Sequence, residues 1–524
     1  MKIGIPASQQ PRQTPDGLPW DVLGILLGIF IVRGVILVCA LPPFEGWDEV
    51  QHVGYVDHCA SSHDPAVFGE TMLAADFARA AGAFPQPKEA LNGLTAAVSY
   101  EAFWAGGPRP APPTTPIPFY EAQHAPLYYR LVAPVYRLGG GRENLRLSVS
   151  LLRLINLTSA AIAFLLLLLW IRRWLPREIA LAAAACVIFQ PLLLLNVVRV
   201  SSDALAFLLG TMVVLSCFAI DGRRTMLRSL LLAVLLPLAV LAKGNNLVLV
   251  PLVVIVFGLQ FRGGGKFIAA AGLGTVLLGF LAVTWQYFSF NLHHFGVMTP
   301  MQEAIMNRAA GRSLPAILMS PPLKIWLVVP RSLWVRNALW VGGWSFLELP
   351  HAFGAAYEAF LAVGGLAVAG SFFRRSSGIG DRNLILLLLG LTHAGLMVHA
   401  VESYRAFGFV TTNPWYAAVA IPWLLILISS SWIASPFPRA GTAVAFGLAA
   451  LELIAETCGV WWRMIPFYYR GHDLLEFLDR VSILHPAGLG SGTLLSMTLL
   501  LTGLLIAGVV SLTRAARRPS ALAG

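Results

Sequence analysis

The sequence predicts an all-α polytopic membrane protein, with about 12 transmembrane helices and a large first extracytoplasmic loop. Three observations carry this. Of 524 residues, 57% are hydrophobic and only 12% are charged, against about 25% charged in soluble domains. Mean hydropathy is +0.71. Apolar stretches of about 20 residues, the length that crosses a hydrocarbon core as a helix, recur roughly a dozen times. An ordinary cytosolic enzyme, a disordered chain and a disulfide-stapled secreted domain are excluded.

The expected spans are 20–41, 148–170, 178–197, 203–220, 228–243, 246–261, 267–288, 352–372, 383–400, 413–433, 440–460 and 490–512. The first follows a weakly basic stretch with Lys2 and Arg12. It ends in Leu41-Pro42-Pro43 without a small-x-small cleavage site, and so reads as an uncleaved anchor. The net charge of +11 comes from 37 Lys and Arg against 26 Asp and Glu. Arg172, Arg173 and Arg177, then Arg223, Arg224 and Arg228, then Arg262 and Lys266 share one side of the span list. Arg374, Arg375, Arg382, Arg439, Arg514, Arg517 and Arg518 fall on that side too. Basic residues stay on the inner face, so both termini are expected in the cytoplasm of a bacterial plasma or inner membrane. The surplus is thus topological, and no nucleic acid is expected as a partner.

This reading divides the chain into a cytoplasmic N-terminus, 1–19, and a transmembrane domain, 20–460. That domain carries an outer loop at 42–147, with a proline-rich stretch from Pro108 to Pro118, and a second outer segment at 289–351. Residues 461–524 supply a third outer segment, the last span and a basic cytoplasmic tail. Long, partly structured outer loops usually carry function. Cys39, Cys59, Cys186, Cys217 and Cys458 are odd in number and fit neither a disulfide framework nor a zinc pattern.

Directly after the first span, Phe44-Glu45-Gly46-Trp47-Asp48-Glu49-Val50-Gln51-His52 places three carboxylates within five positions, beside an apolar surface. Such a place raises a carboxyl pKa by desolvation, or holds a carboxylate near a buried hydroxyl as general base. A solvated acidic loop is the plainer reading, and the flanking aromatics Phe44, Trp47 and Tyr55 weigh against it. Tyr120 to Arg130, with His124, Tyr128 and Tyr129, reads equally as an interfacial anchor or as the wall of a substrate groove. Arg199, Lys243 and Arg405 each stand alone in a short outer loop, against the charge rule. Their neighbours are polar: Asp203, Asn246 and Tyr404 among them. Converging cations bind a lipid phosphate; independent snorkelling is the alternative. Arg33 and Arg153 lie inside spans, where ionisable groups are functional by default or paired with a neighbouring helix. No Walker loop, His-Glu-x-x-His or Gly-x-Ser-x-Gly motif occurs, and the His293-His294 pair is isolated.

These motifs, in this order, resemble those of the GT-C polytopic glycosyltransferases, which include protein O-mannosyltransferases and aminoarabinose transferases. Trp47-Asp48-Glu49-Val50-Gln51-His52 is similar to the Asp-Glu-x-x-His signature of the mannosyltransferase branch. Glu121-Ala122-Gln123-His124-Ala125-Pro126-Leu127-Tyr128-Tyr129 is similar to the segment ending in Pro-Leu-Tyr-Tyr, with Ala125 where a second proline is usual. Arg153-Leu154-Ile155-Asn156, Arg199 with Ser202-Asp203-Ala204-Leu205, and Leu241-Ala242-Lys243-Gly244-Asn245 continue the likeness. Ser403-Tyr404-Arg405 is a loose match with inverted order.

The resemblance implies transfer of a sugar from an isoprenoid-phosphate donor to an envelope glycan, lipid or protein on the extracytoplasmic face, with inversion. Asp48 is then the catalytic base and Glu49 orients the acceptor or Asp48. Glu45, His52, His124, Tyr128, Tyr129, Arg153, Arg199, Asp203, Lys243, Asn246, Tyr404 and Arg405 are the expected substrate-side residues. Arg199, Lys243 and Arg405 would steady the departing phosphate. No metal ligand is assigned; a divalent cation stays a candidate cofactor, with Glu45, Asp48 and His52 as its candidate ligands. A flippase of lipid-linked saccharide, or a non-catalytic subunit of envelope assembly, are the alternatives.

Overall fold

The computed structural model describes residues 17–62, 64–86, 98–106, 116–220, 225–261, 266–319, 322–336, 338–340, 342–343, 345, 347–373, 382–433, 435–471 and 473–517. Lys2, Arg12, most of the Pro108 to Pro118 stretch, Arg223, Arg224, Arg262, Arg374, Arg375 and Arg518 lie outside the described residues. Among the described residues the secondary structure is helical apart from two isolated bridges, Met72 with Pro118 and Pro85 with Val98.

Among the described residues, eight helices are long and apolar enough to cross a membrane, and a bent pair makes up to a ninth. This is an integral membrane protein. The count differs from the dozen expected. Segments 203–220, 246–261 and 413–433 fall on helices Asp203–Phe218, Gly244–Gln260 and Ile421–Ile433, which are apolar but have only 10–17 residues. The hydropathy is there, but turn-forming residues cut the helices short: Ser201-Ser202 before the first, Gly244-Asn245-Asn246 opening the second, Pro414 and Pro422 around the third.

α1 (Trp20–Ala40) runs to the acidic segment and is followed by α2 (Glu49–Ser61). An amphipathic helix, α3 (Leu127–Leu138), leads into the long α4 (Leu145–Trp174). α3 buries Tyr128, Tyr129, Val132 and Tyr136, while Leu131 and Leu138 stay exposed. α5 (Arg177–Phe189) and α6 (Pro191–Val198) form the pair bent by 49°. Pro191 has no N–H to continue the ladder. The Gln190 side chain caps Leu192 N at 2.8 Å. Arg33 crosses from α1 to donate to the freed carbonyls of Ile188 (2.5 Å) and Phe189 (3.1 Å). Its remaining donors go to Glu456 on α16 (Pro438–Cys458). Arg33 is therefore a paired structural cation, tying three helices at a break.

The remaining helices are α7 (Asp203–Phe218), α8 (Thr225–Ala242), α9 (Leu249–Gln260), α10 (Lys266–Phe295), α11 (Gln302–Ala309) and α12 (Leu323–Arg331). α13 (His351–Phe373), α14 (Arg382–Phe407), α15 (Ile421–Ile433) and α17 (Ser491–Arg517) complete those used below. Small residues let α8 and α10 approach closely: a Cβ on Gly272 would meet Ser229 Oγ at 2.5 Å, and one on Gly279 would meet Ala233 O at 2.8 Å. Above the helical core, Phe44, Tyr55, Phe77, Tyr128, Tyr129, Tyr136 and Val149 form a second, smaller apolar cluster. Burying each such side chain contributes about 1.5–3 kcal/mol. This cluster holds the segment between α1 and α4 against the ends of those helices.

Candidate active site

The acidic segment is fixed by its own residues. Phe44 and Asp48 both have left-handed backbone, φ 70 and φ 53, a conformation costing a non-glycine residue about 1–3 kcal/mol and found mostly where other contacts impose it. Those contacts are visible. Glu49 is buried and receives Arg153 Nε at 2.9 Å and Nη2 at 2.6 Å. Arg153 also donates to the carbonyls of Leu41 and, at 2.7 Å, Pro42. Val200 N at 2.8 Å and Gly46 N at 3.4 Å complete the Glu49 carboxylate. Burial works to raise the Glu49 pKa, but the Arg153 charge and these hydrogen bonds prevail and hold it below the ordinary carboxylate value. Glu49 and Arg153 thus form a staple that aims the segment.

Glu45 is equally committed. Its buried carboxyl accepts from Tyr100 OH (2.7 Å), Tyr468 OH (3.0 Å), Ser345 N (2.8 Å) and Ser345 Oγ. It joins three segments distant in sequence rather than facing an open space. Burial, only partly offset by these donors, pushes it up to about 7.

Asp48 differs from both neighbours. Among the described residues its carboxyl has no hydrogen-bond or ion-pair partner, and it is the member of the trio that keeps some solvent contact. Protein still crowds it. Burial, and then the facing Glu121 carboxylate, outweigh Arg199, His124 and Lys243 and push it up to about 7.

Across from it stands a wall from the Tyr120–Gln123 turn and α3. Glu121, buried, lies 3.1 Å from His124 Nε2 and 3.4 Å from His52 Nδ1. His52 Nδ1 is also 2.8 Å from Tyr129 OH. Burial, reinforced by Arg199, His124 and Lys243 against the pull of Glu121, takes His52 down to about 4. Desolvation alone would raise Glu121. The histidines beside it and Lys243 hold it well below the ordinary range instead. Of the two facing acids, Glu121 is therefore the one held ionised, and Asp48 is the one that takes up and gives up a proton near neutral pH. Tyr129 stacks on Tyr55 at 3.9 Å, and Tyr128 OH donates to Asn156 Oδ1 at 3.0 Å. The amide of Asn156 in turn holds the carbonyls of Arg199 (2.6 Å) and Ser201 (3.2 Å).

The cations come from the turns before α7 and after α8. Arg199 donates to Trp47 O (2.8 Å), Asn196 Oδ1 (2.9 Å) and Asp203 Oδ2 (2.6 Å), and its Nε is buried without a partner. Lys243 Nζ reaches the other oxygen of Asp203 and sits 5.4 Å over the Tyr416 ring. Asp203 thus yokes two cations into one patch of net positive charge. Asn246 holds the carbonyls of Ala206 (3.1 Å) and Ala239 (3.0 Å), so it shapes the turn from behind.

Arg405 does not join this patch. Its carbonyl accepts from Arg312, the side chain has no ion-pair partner among the described residues, and Tyr404 packs into the apolar core. The end of α14 contributes His399 instead. His399 Nε2 is 2.6 Å from Glu303 Oε1 of α11, and Nδ1 is 2.6 Å from Thr412 Oγ1. The Tyr416 ring lies edge-on to His399 at 5.3 Å. Burial tends to raise Glu303; its contact with His399 lowers it, and the charge of His124 adds to that effect. Glu121, Glu303, His399 and Tyr416 were not singled out from the sequence. The spacing Glu121-x-x-His124 was a readable cue; nothing local marks the other three.

Among the described residues, no three His, Cys, Asp or Glu side chains are grouped so that they could hold a metal ion.

No protein-family model and no curated protein matches the chain. Its structure is similar to crystal structures of the oligosaccharyltransferase of Archaeoglobus fulgidus. The apo form aligns with TM-score 0.39 at 12% identity, covering 88% of this chain and 56% of that one. The complex with Zn and sulfate gives 0.41 at 12% identity, covering 83% and 53%. The complex with an inhibitory peptide and a dolichol-phosphate gives 0.39 at 12% identity, covering 88% and 56%. The chain spans about half the length of these enzymes.

Proposed function

We propose that the protein is a membrane glycosyltransferase of GT-C type. It moves a sugar from an isoprenoid-phosphate donor to an acceptor hydroxyl on the extracytoplasmic face, with inversion. The observation that carries this reading is a free carboxyl, Asp48, held by a stapled segment opposite a yoked cationic patch. General-base transfer needs both parts: an uncommitted acid for the proton, and positive charge for the leaving phosphate.

In this scheme the Asp48 carboxylate takes the proton of the acceptor hydroxyl. The acceptor oxygen attacks the anomeric carbon while the bond from that carbon to the phosphate oxygen breaks. The electron pair leaves with the isoprenoid phosphate. Arg199, through its unused Nε, and Lys243, through its remaining N–H groups, receive that charge. Asp203 is a positioning residue for both, and Glu49 with Arg153 positions Asp48. His52, His124, Tyr128 and Tyr129 form the wall facing the sugar, with Glu121 fixing the two histidines. Any need for a divalent ion is read by running the assay with and without chelator.

The test is Asp48→Asn in membranes supplied with a labelled isoprenoid-phosphate sugar. The expected loss of transfer is about 10²–10⁴-fold, the range of a general base, with donor binding retained. Undiminished transfer refutes the reading, and retained movement of the lipid-linked sugar across the membrane without transfer supports a flippase.

A further inference from the structure

A groove of about 680 Å³ lies between α12 and the start of α13. That volume is within the roughly 300–1,000 Å³ typical of small-molecule sites. Trp47, the residue before Asp48, is part of its lining. The Trp47 ring packs against Trp340 at 4.6 Å and against Trp415 at 5.0 Å. Arg199 spans the same junction, donating to Trp47 O while lying 5.3 Å over Trp415. Trp47 therefore links the Asp48 segment to the groove.

The rest of the lining is mixed. Arg331 and Glu358 face each other across it in a bidentate pair, 2.9 Å and 2.9 Å, and Glu348, His351 and Asn413 add polar groups. A prenyl chain seated there would cover these ionic groups and return nothing to them. A saccharide suits both parts: its C–H faces lie on indole rings, and its hydroxyls exchange hydrogen bonds with the charged rim.

We propose that this groove is the seat of a saccharide acceptor. A short glycan lies against the partly exposed Trp340 and presents its inner hydroxyl toward Asp48. This rests on the transferase reading for its purpose, but not for its test, which measures binding alone.

The full chain in lipid nanodiscs is titrated with maltotriose, cellotriose, mannotriose and chitotriose, and binding is read by tryptophan fluorescence and saturation-transfer NMR. At least one trisaccharide is expected to bind saturably. Trp340→Ala should weaken it about tenfold, the loss typical of one anchoring aromatic, while Trp340→Phe keeps most of the affinity. Gly354→Trp guards against misfolding as an explanation. It lines the groove, and a Cβ built there meets nothing within 4 Å, so the position has room to start a bulky side chain that takes up groove volume. Gly354→Trp should abolish binding. Failure of all four sugars, binding that survives Gly354→Trp, or displacement of a bound sugar by farnesyl phosphate overturns the proposal. A silent Asp48→Asn variant with intact saccharide binding would remove the transferase reading and leave the groove standing.

Discussion

Replacing Arg153 by Met tests whether the Asp48 segment is held as described. Arg153 is 1% exposed and gives Glu49 two hydrogen bonds and the Leu41 and Pro42 carbonyls one each. Removing one partner of a buried pair leaves an uncompensated charge and costs about 3–5 kcal/mol. That is a large share of the 5–15 kcal/mol a folded chain typically has. Adding Glu49→Leu removes the stranded carboxylate, and apolar replacement of a whole buried pair is often close to neutral. The two loop carbonyls stay unpaired in both variants, and Glu49→Leu also frees Val200 N and Gly46 N, at about 1–3 kcal/mol for each group, so the double variant should cost clearly less than the two single variants summed. The assay is a double-mutant cycle on urea midpoints in detergent, with proteolysis of segment 42–147 as a local readout. Transfer should stay low in the double variant whatever its stability, because Asp48 has lost its aim. An Arg153→Met cost under about 1 kcal/mol, or a double-variant cost equal to the sum of the two single costs, refutes the staple. The pair also has a pH signature. The Glu49 value is lower folded than unfolded, where it is about 4.3. Its contribution is complete above that pH and lost as pH falls through the lower folded value.

Other outcomes follow from the same geometry. With Asp48 near 7, kcat/KM should rise with pH up to about 7 and then level, because only the ionised form accepts a proton; a flat profile from about pH 5 to 8 contradicts this. The kcat limb should lie higher, since a bound phosphate adds negative charge beside Asp48. Lys243→Met should cut transfer about 10- to 100-fold, equivalent to one charge-assisted hydrogen bond of roughly 1.5–3 kcal/mol, while Arg405→Met leaves it unchanged; parallel transfer assays decide. Tyr468→Phe removes one of the donors to Glu45 and should lower the unfolding midpoint by the equivalent of about 0.5–1.5 kcal/mol; an unchanged midpoint argues against Glu45 as a junction.

Much of this is legible in the sequence, for identifiable reasons. The apolar runs are read directly because a lipid-facing helix has no way to hide its composition. Twelve runs did not give twelve long helices, because hydropathy does not report where Gly244-Asn245-Asn246 or Pro191 interrupts hydrogen bonding. Asp48, Glu49, Arg153, Arg199, Asp203 and Lys243 were visible because each breaks a local expectation, a charge where charge is costly. Their roles were not. That Glu49 is spent on Arg153, Glu45 on three hydroxyls and Asp203 on two cations depends on partners up to 423 residues away, as Tyr468 is from Glu45. Glu303 and His399 sit in ordinary polar surroundings in the chain, and only the docking of α11 on α14 makes them a pair.

The two sides of the site are held by different kinds of bond. The Asp48 side is anchored by buried charges and side-chain hydroxyls that have no water to exchange with. The α11 side meets the end of α14 through Asn307 on the Glu402 carbonyl (2.9 Å), Arg312 on the Arg405 carbonyl, and the His399–Glu303 contact. Those carbonyls lie in the last turn of a helix, where water is a ready substitute. Under the transferase reading, the acid-bearing segment is the fixed side, and we expect entry and exit of bulky substrates at the opposite one. Cross-linking α11 to α14 should therefore slow turnover by trapping product, while leaving the chemistry of a single round intact.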